Sequence, residues 1–221
     1  RTTVRTRLYR LFAPVYRQLQ AKGIRHFEFY MPDGRALLSL DAPDVLDEEK
    51  PSKQASIQQA AATEKPMWGF EIGHITAGFR GVFPIPSGKG NLLGLVEFSM
   101  PFNELRKIVA EWYPGYEYVF TVNSALIEER LLEDRKPLFA PWPVNPLFSE
   151  EDPQRELPDA PPPLSLHAQD INRVMARDPA IQRALSDGTT GAFSVWINGI
   201  PSVVALTTVH DSARQHAGLL I

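Results

Sequence analysis

The chain has 221 residues, 43% hydrophobic and 22% charged, which is apolar material for one large core or two small ones without metals or disulfides. Its net charge of -3 offers no basic footprint for nucleic acid, and the absence of cysteine removes disulfides, thiolate metal sites and cysteine nucleophiles together. No stretch nears the roughly 20 apolar residues of a membrane-spanning helix, no leader peptide is evident, and Arg1 and the apolar 218–221 end read as internal to a longer chain.

Residues 4–22 carry Val4, Leu8, Leu11, Phe12, Val15, Tyr16 and Leu19 at helical spacing, with Pro14 as a place to bend and Gly23 as the stop. His26-Phe27-Glu28-Phe29-Tyr30 alternates as a strand, and Pro32-Asp33-Gly34 turns it onto Ala36–Leu40. An acidic, proline-punctuated loop over 41–51 leads to a surface helix over 52–63, capped by Ser52. Strands are expected near 66–72, 77–85 and 92–99, and helical spacing returns from Pro101 to Tyr113. This order makes one complete α+β unit with an antiparallel sheet.

The second half is thinner in strands. Tyr116–Val122 reads as a strand and Ala125–Leu132 as a short helix. Nine prolines between Pro137 and Pro163 exclude a continuous helix or a central strand there, while the aromatics among them favour wrapping against the body. Residues 166–185 are helical with a break near Asp178-Pro179. The hairpin 191–209 turns at Asn198-Gly199, and 218–221 opens a last strand.

The helix leading into an aromatic strand, the Met31-Pro32-Asp33-Gly34-Arg35 turn, Lys65-Pro66 through Gly73, Gly78–Ile85, Gly94–Phe98 and the helix after them together resemble the double Cache (PAS-like) sensor domains of bacterial chemoreceptors and sensor histidine kinases. The likeness is close over residues 4–112 and architectural over 113–221. It departs at Glu28 and Tyr30, where the family pattern has histidines, and at Leu46-Asp47-Glu48-Glu49, so the ligand of a typical relative does not transfer. The resemblance implies a long N-terminal helix (1–23), a membrane-distal PAS-like lobe (24–113) and a membrane-proximal one (114–221). It further implies an extracytoplasmic location, membrane anchors and signalling domains outside these residues, and no cofactor.

Arg80 is the sharpest candidate for ligand contact. Gly78 and Gly81 flank it and admit a close approach, and its guanidinium suits a carboxylate; its plain alternative is a pair with Glu71 or Glu97. Glu71 and His74 are candidate hydrogen-bonding groups, or a structural partner and a turn residue. Phe29, Tyr30, Trp68 and Phe83 are candidate pocket walls, although strand aromatics are more often core. Trp112, Tyr113, Tyr116 and Tyr118 are expected to pack the joint between lobes, and Trp142 and Trp196 the second core. The scattered histidines make no evident ligand set, and Gly88-Lys89-Gly90 lacks the glycines of a phosphate loop.

The expected function is therefore non-enzymatic: a small anionic or amphipathic molecule, with a carboxylate as one option, bound in the distal lobe of a homodimer paired through the N-terminal helix. A sensor that reads a periplasmic protein or the membrane environment without a small ligand is the alternative. A hydrolase is a third possibility.

Overall fold

The computed structural model describes residues 2–44, 52, 54–74, 77–151 and 163–221. They form two compact units, residues 1–71 with 77–101 and residues 72–76 with 102–221. Each is built on an antiparallel sheet, so the α+β class, the N-terminal helix and the paired lobes are as expected.

In the first unit α1 (Thr2–Gln20) runs unbroken through Pro14. The five-stranded sheet has the order β2-β1-β5-β4-β3, with β1 at His26–Tyr30, β2 at Ala36–Ser39, β3 at Met67–Ile72, β4 at Ala77–Pro86 and β5 at Leu92–Met100. Period-two alternation gives this sheet two unlike faces. On one, Tyr16 of α1 and its partly buried Leu8, Phe12 and Leu19 pack on Phe27, Phe29, Val96 and Phe98. On the other, Tyr30, Val82 and Leu95 pack on Ile57 and Ala60 of α2 (Ala55–Thr63). Helix α2 starts after Gln54 rather than at Ser52, whose hydroxyl accepts from the Gln54 N–H at 3.2 Å.

The second unit holds α3 (Phe102–Trp112) and a six-stranded sheet ordered β7-β8-β6-β11-β10-β9. Its strands are β6 at Phe120–Asn123, β7 at Phe139–Pro141, β8 at Phe148–Glu151, β9 at Gly191–Ile197, β10 at Ile200–His210 and β11 at His216–Leu220. Strand β8 is interior, against the expectation from its prolines. The gap between Pro146 and Pro153 is long enough for a ladder with β6 on one side and β7 on the other. The Asn198-Gly199 turn has φ of 52° and 82°, the left-handed pair of a type I′ hairpin.

Helices α4 (Ser124–Arg130), α5 (Leu166–Met175) and α6 (Pro179–Ser186) complete this unit. Trp142 lies in its core with Phe148, Met175, Leu185 and Leu219. Trp196 does not: between buried Val195 and Ile197 it faces outward and is 67% exposed. Trp112, Tyr113 and Tyr116 are exposed as well. The break between α5 and α6 is made by Asp178, whose carboxylate accepts from the N–H groups of Ala180 and Ile181 at 2.8 and 3.1 Å. Asp178→Ala is expected to lower the stability of this unit by about 1 kcal/mol, the usual worth of a carboxylate cap, read as a fall in its urea midpoint.

Candidate functional site

The α2-facing side of the first sheet carries a buried polar row. Alternation along β1 places His26, Glu28 and Tyr30 on this side. Register with β5 sets Glu28 opposite Glu97 and His26 opposite Ser99, and register of β4 sets Arg80 opposite Ser99. Glu97 is fully buried, and Arg80, Tyr30, Glu71 and His26 are nearly so.

Glu97 is the hub. Its Oε1 accepts a hydrogen bond from Arg80 Nη1, and its Oε2 lies 2.6 Å from the Tyr30 hydroxyl. The same hydroxyl lies 2.8 Å from Glu28 Oε2, which is also 3.0 Å from His26 Nε2. His26 Nδ1 faces Asp41 at 2.9 and 3.0 Å, and Ser39 and the Phe27 N–H donate to Asp41 in turn. Arg80 Nη1 also donates to the side-chain Oε1 of Gln54 at 3.3 Å, while Glu71 accepts from the Ser56 hydroxyl and N–H at the start of α2.

Burial sets the electrostatics of this row against itself. Desolvation alone would drive His26 toward its neutral form, but the hydrogen bonds of Asp41 and Glu28 reverse it and raise its pKa to about 10. Burial likewise penalises the charge on Glu97, yet Arg80, then His26 and Tyr30, hold that carboxyl below its ordinary range. Tyr30 is pushed well up by burial and by the Glu97 and Glu28 charges.

The residues singled out in the sequence fall in three places. Arg80, Tyr30 and Glu71 share the polar side, with Arg80 paired to Glu97. Phe29, Phe83 and Trp68 lie on the reverse face, where Phe29 meets Phe12 of α1, Phe83 meets Phe98, and Trp68 meets Phe83. The structure therefore does not bring these aromatics to Arg80. His74 belongs to the second unit, where its Nδ1 lies 3.2 Å from the Arg130 carbonyl and its own carbonyl accepts from Leu132 N–H.

The glycines beside Arg80 serve packing rather than ligand access. A Cβ on Gly78 would stand 2.5 Å from the Met100 carbonyl oxygen, and one on Gly81 would strike the Trp68 ring. Sequence reasoning passed over His26, Glu28 and Asp41. The signal for the first two was present in the alternation of β1, which puts both beside Tyr30.

The family described as "Double sensory domain of two-component sensor kinase", a double Cache family, matches residues 2–145. No curated protein matches. Among solved structures, a domain of a sensory box/GGDEF family protein from Vibrio parahaemolyticus is 11% identical with a TM-score of 0.47, covering 100% of this chain and 77% of that one. The sensor domain of the histidine kinase DctB from V. cholerae is 10% identical with a TM-score of 0.40, covering 96% and 75%. The chain spans only 30% of an extracellular ligand binding receptor from Desulfohalobium retbaense, at 11% identity, a TM-score of 0.42 and 90% of this chain. The match over residues 2–145, well over half of the sequence, decides the matter: the chain belongs to the double Cache family of sensory domains of two-component sensor kinases.

Proposed function

We propose that the chain is the extracytoplasmic sensing part of a transmembrane receptor, in which the first unit binds a small molecule at the polar face of its sheet and passes the change to α1. One observation carries this reading. Strand β1 presents His26, Glu28 and Tyr30 to the polar face and Phe27 and Phe29 to α1, where Phe12 meets Phe27 edge-on and Phe29 at a tilt, at 6.0 and 4.9 Å between centroids. A ligand that shifts β1 therefore shifts the seat of the N-terminal helix, and a difference of a few kcal/mol between two seats is enough to signal.

The charge balance revises the class of ligand. An anion was expected at Arg80, but that guanidinium is closed by Glu97 and Gln54. Among the described residues of this face, the carboxylates Glu28, Asp41, Glu71 and Glu97 outnumber the cations His26 and Arg80. The balance favours a ligand that brings positive charge. On α1, Val4, Leu11 and Val15 form an exposed apolar row beside the packed one, which suits a homodimer through that helix. Membrane anchors would lie outside these residues, since no described helix is long and apolar enough to cross a bilayer.

The test is a thermal-shift screen of metabolites with a chelator present, repeated on Tyr30→Phe and Glu28→Gln. A ligand is expected that raises the melting temperature of the parent and loses most of that shift in both variants. A ligand bound equally well by all three proteins would move the site elsewhere.

A further inference from the structure

We propose that His26 Nε2, Glu28 and Glu97 hold one divalent first-row transition-metal ion, with the Tyr30 hydroxyl oxygen beside it. The inference rests on the reading of this face as the ligand side and names what binds there.

The three residues offer one ligand atom each, and these atoms all lie within 4.8 Å of one another. An ion with bonds of about 2.0–2.2 Å to nitrogen and oxygen needs ligand separations of about 3–4 Å, so the set closes on a cation with little movement. Glu28 and Glu97 stand opposite each other in the β1–β5 ladder, and His26 is two residues along the same strand, so the donors sit on rigid backbone.

The surrounding contacts orient the donors. Asp41 holds the Nδ1 edge of His26, which fixes the ring with Nε2 turned to Glu28, and Ser39 fixes Asp41 at 2.8 Å. A carboxylate behind a histidine is the usual outer support of a metal ligand. Arg80 anchors Glu97 at Oε1, and Oε2 faces the Tyr30 hydroxyl within the cluster.

Counting protons gives an independent indication. The Tyr30 hydroxyl has one proton but faces two carboxylate oxygens, at 2.6 and 2.8 Å. One of these oxygen–oxygen contacts therefore has no hydrogen of the hydroxyl to make it attractive. A cation between Glu28 and Glu97 turns both oxygens into ligands and removes the conflict. One imidazole with two carboxylates suits Zn2+ or Mn2+ better than Ca2+ or Mg2+, whose sites are built from oxygen.

The whole chain, stripped with a chelator and dialysed, is titrated with Zn2+ by calorimetry and thermal shift, with Ca2+ and Mg2+ as comparators. One Zn2+ per chain is expected, with a rise in melting temperature of about 5–10 °C at hundredfold excess over Kd and a perturbed His26 ring in the NMR spectrum. Glu28→Gln should abolish the shift, and Asp41→Asn should weaken binding by about 10- to 100-fold. Absence of saturable binding up to about 1 mM Zn2+ would mean that a shared proton alone joins the carboxylates, and would overturn the proposal. So would Zn2+ binding that Glu28→Gln leaves unchanged or that does not touch the His26 ring. The chelator-treated metabolite screen keeps the two readings apart. An organic ligand that binds through Tyr30 while Zn2+ does nothing retires the metal and leaves the sensory face standing.

Discussion

Arg80→Met is expected to destabilise the first unit by about 3–5 kcal/mol, seen as a large fall in the urea midpoint followed by circular dichroism. The Arg80 and Glu97 side chains are 2% and 0% exposed, so removing the guanidinium strands a carboxylate where water cannot reach it. Burial opposes the charge on both groups. The Glu97 charge nonetheless holds Arg80 above its ordinary value and Arg80 holds Glu97 below its own, which is the mark of a pair that stays ionised because each partner is present.

The loss should be largely recovered in Arg80→Met/Glu97→Gln, because a neutral amide can still accept from Tyr30 and no lone charge remains. Near-parent stability of Arg80→Met would sink the argument. It would mean that Arg80 is held loosely, as a guanidinium awaiting an anionic ligand would be. A double variant weaker than the sum of the single ones would also count against it.

What the sequence disclosed here, and what it hid, follows from the physics of strands. The alternation of β1 was legible, and with it the separation of Phe27 and Phe29 from Glu28 and Tyr30. Strand limits at 67–72, 77–86 and 92–100 fall close to the expected spans because glycine and proline punctuate them. Register was not legible. Nothing local says that Glu28 faces Glu97 across the ladder, or that Asp41 returns to His26 over a separation of fifteen residues.

Aromatics were misread for a related reason. Phe29, Trp68 and Phe83 have the composition of a pocket wall, but only the fold shows that Phe29 is covered by Phe12 of α1, that Phe83 packs on Phe98 and that Trp68 packs on Phe83 while staying exposed. In the second unit the prolines around β8 argued against a central strand, and a long-range ladder overrode that local preference. The acidic segment Leu46–Glu49 lies outside the described residues.

With a chelator present, the first unit is expected to lose stability steadily as pH rises from about 6.5 to about 10. The cause is His26. Its pKa rises from an ordinary 6.5 to about 10 in the fold because Asp41 and Glu28 flank the two ring nitrogens and outweigh the penalty of burial. A folded pKa above the unfolded one means that the fold binds the proton more tightly. The stabilisation is therefore complete below 6.5, shrinks by about 1.4 kcal/mol for each unit of rising pH, and is gone above 10.

Over the whole window the loss is on the order of 4–5 kcal/mol, comparable to breaking the Arg80 pair. Asp41 and Glu97 act in the opposite sense. Their folded values are depressed against burial by His26 and by Arg80 respectively, so their contribution is present above the ordinary carboxylate values of 3.8 and 4.5 and falls away in acid. Stability should thus peak between about pH 4.5 and 6.5, lower than the pH 5–8 range common for globular proteins. Urea midpoints of the parent and of His26→Gln at half-unit steps from pH 4 to 10 test this. The parent should slope downward above 6.5, and His26→Gln should be less stable near pH 6 but flat across the same range. A parent that holds its midpoint from 6.5 to 9 would show that the fold keeps no extra proton on His26 across this range.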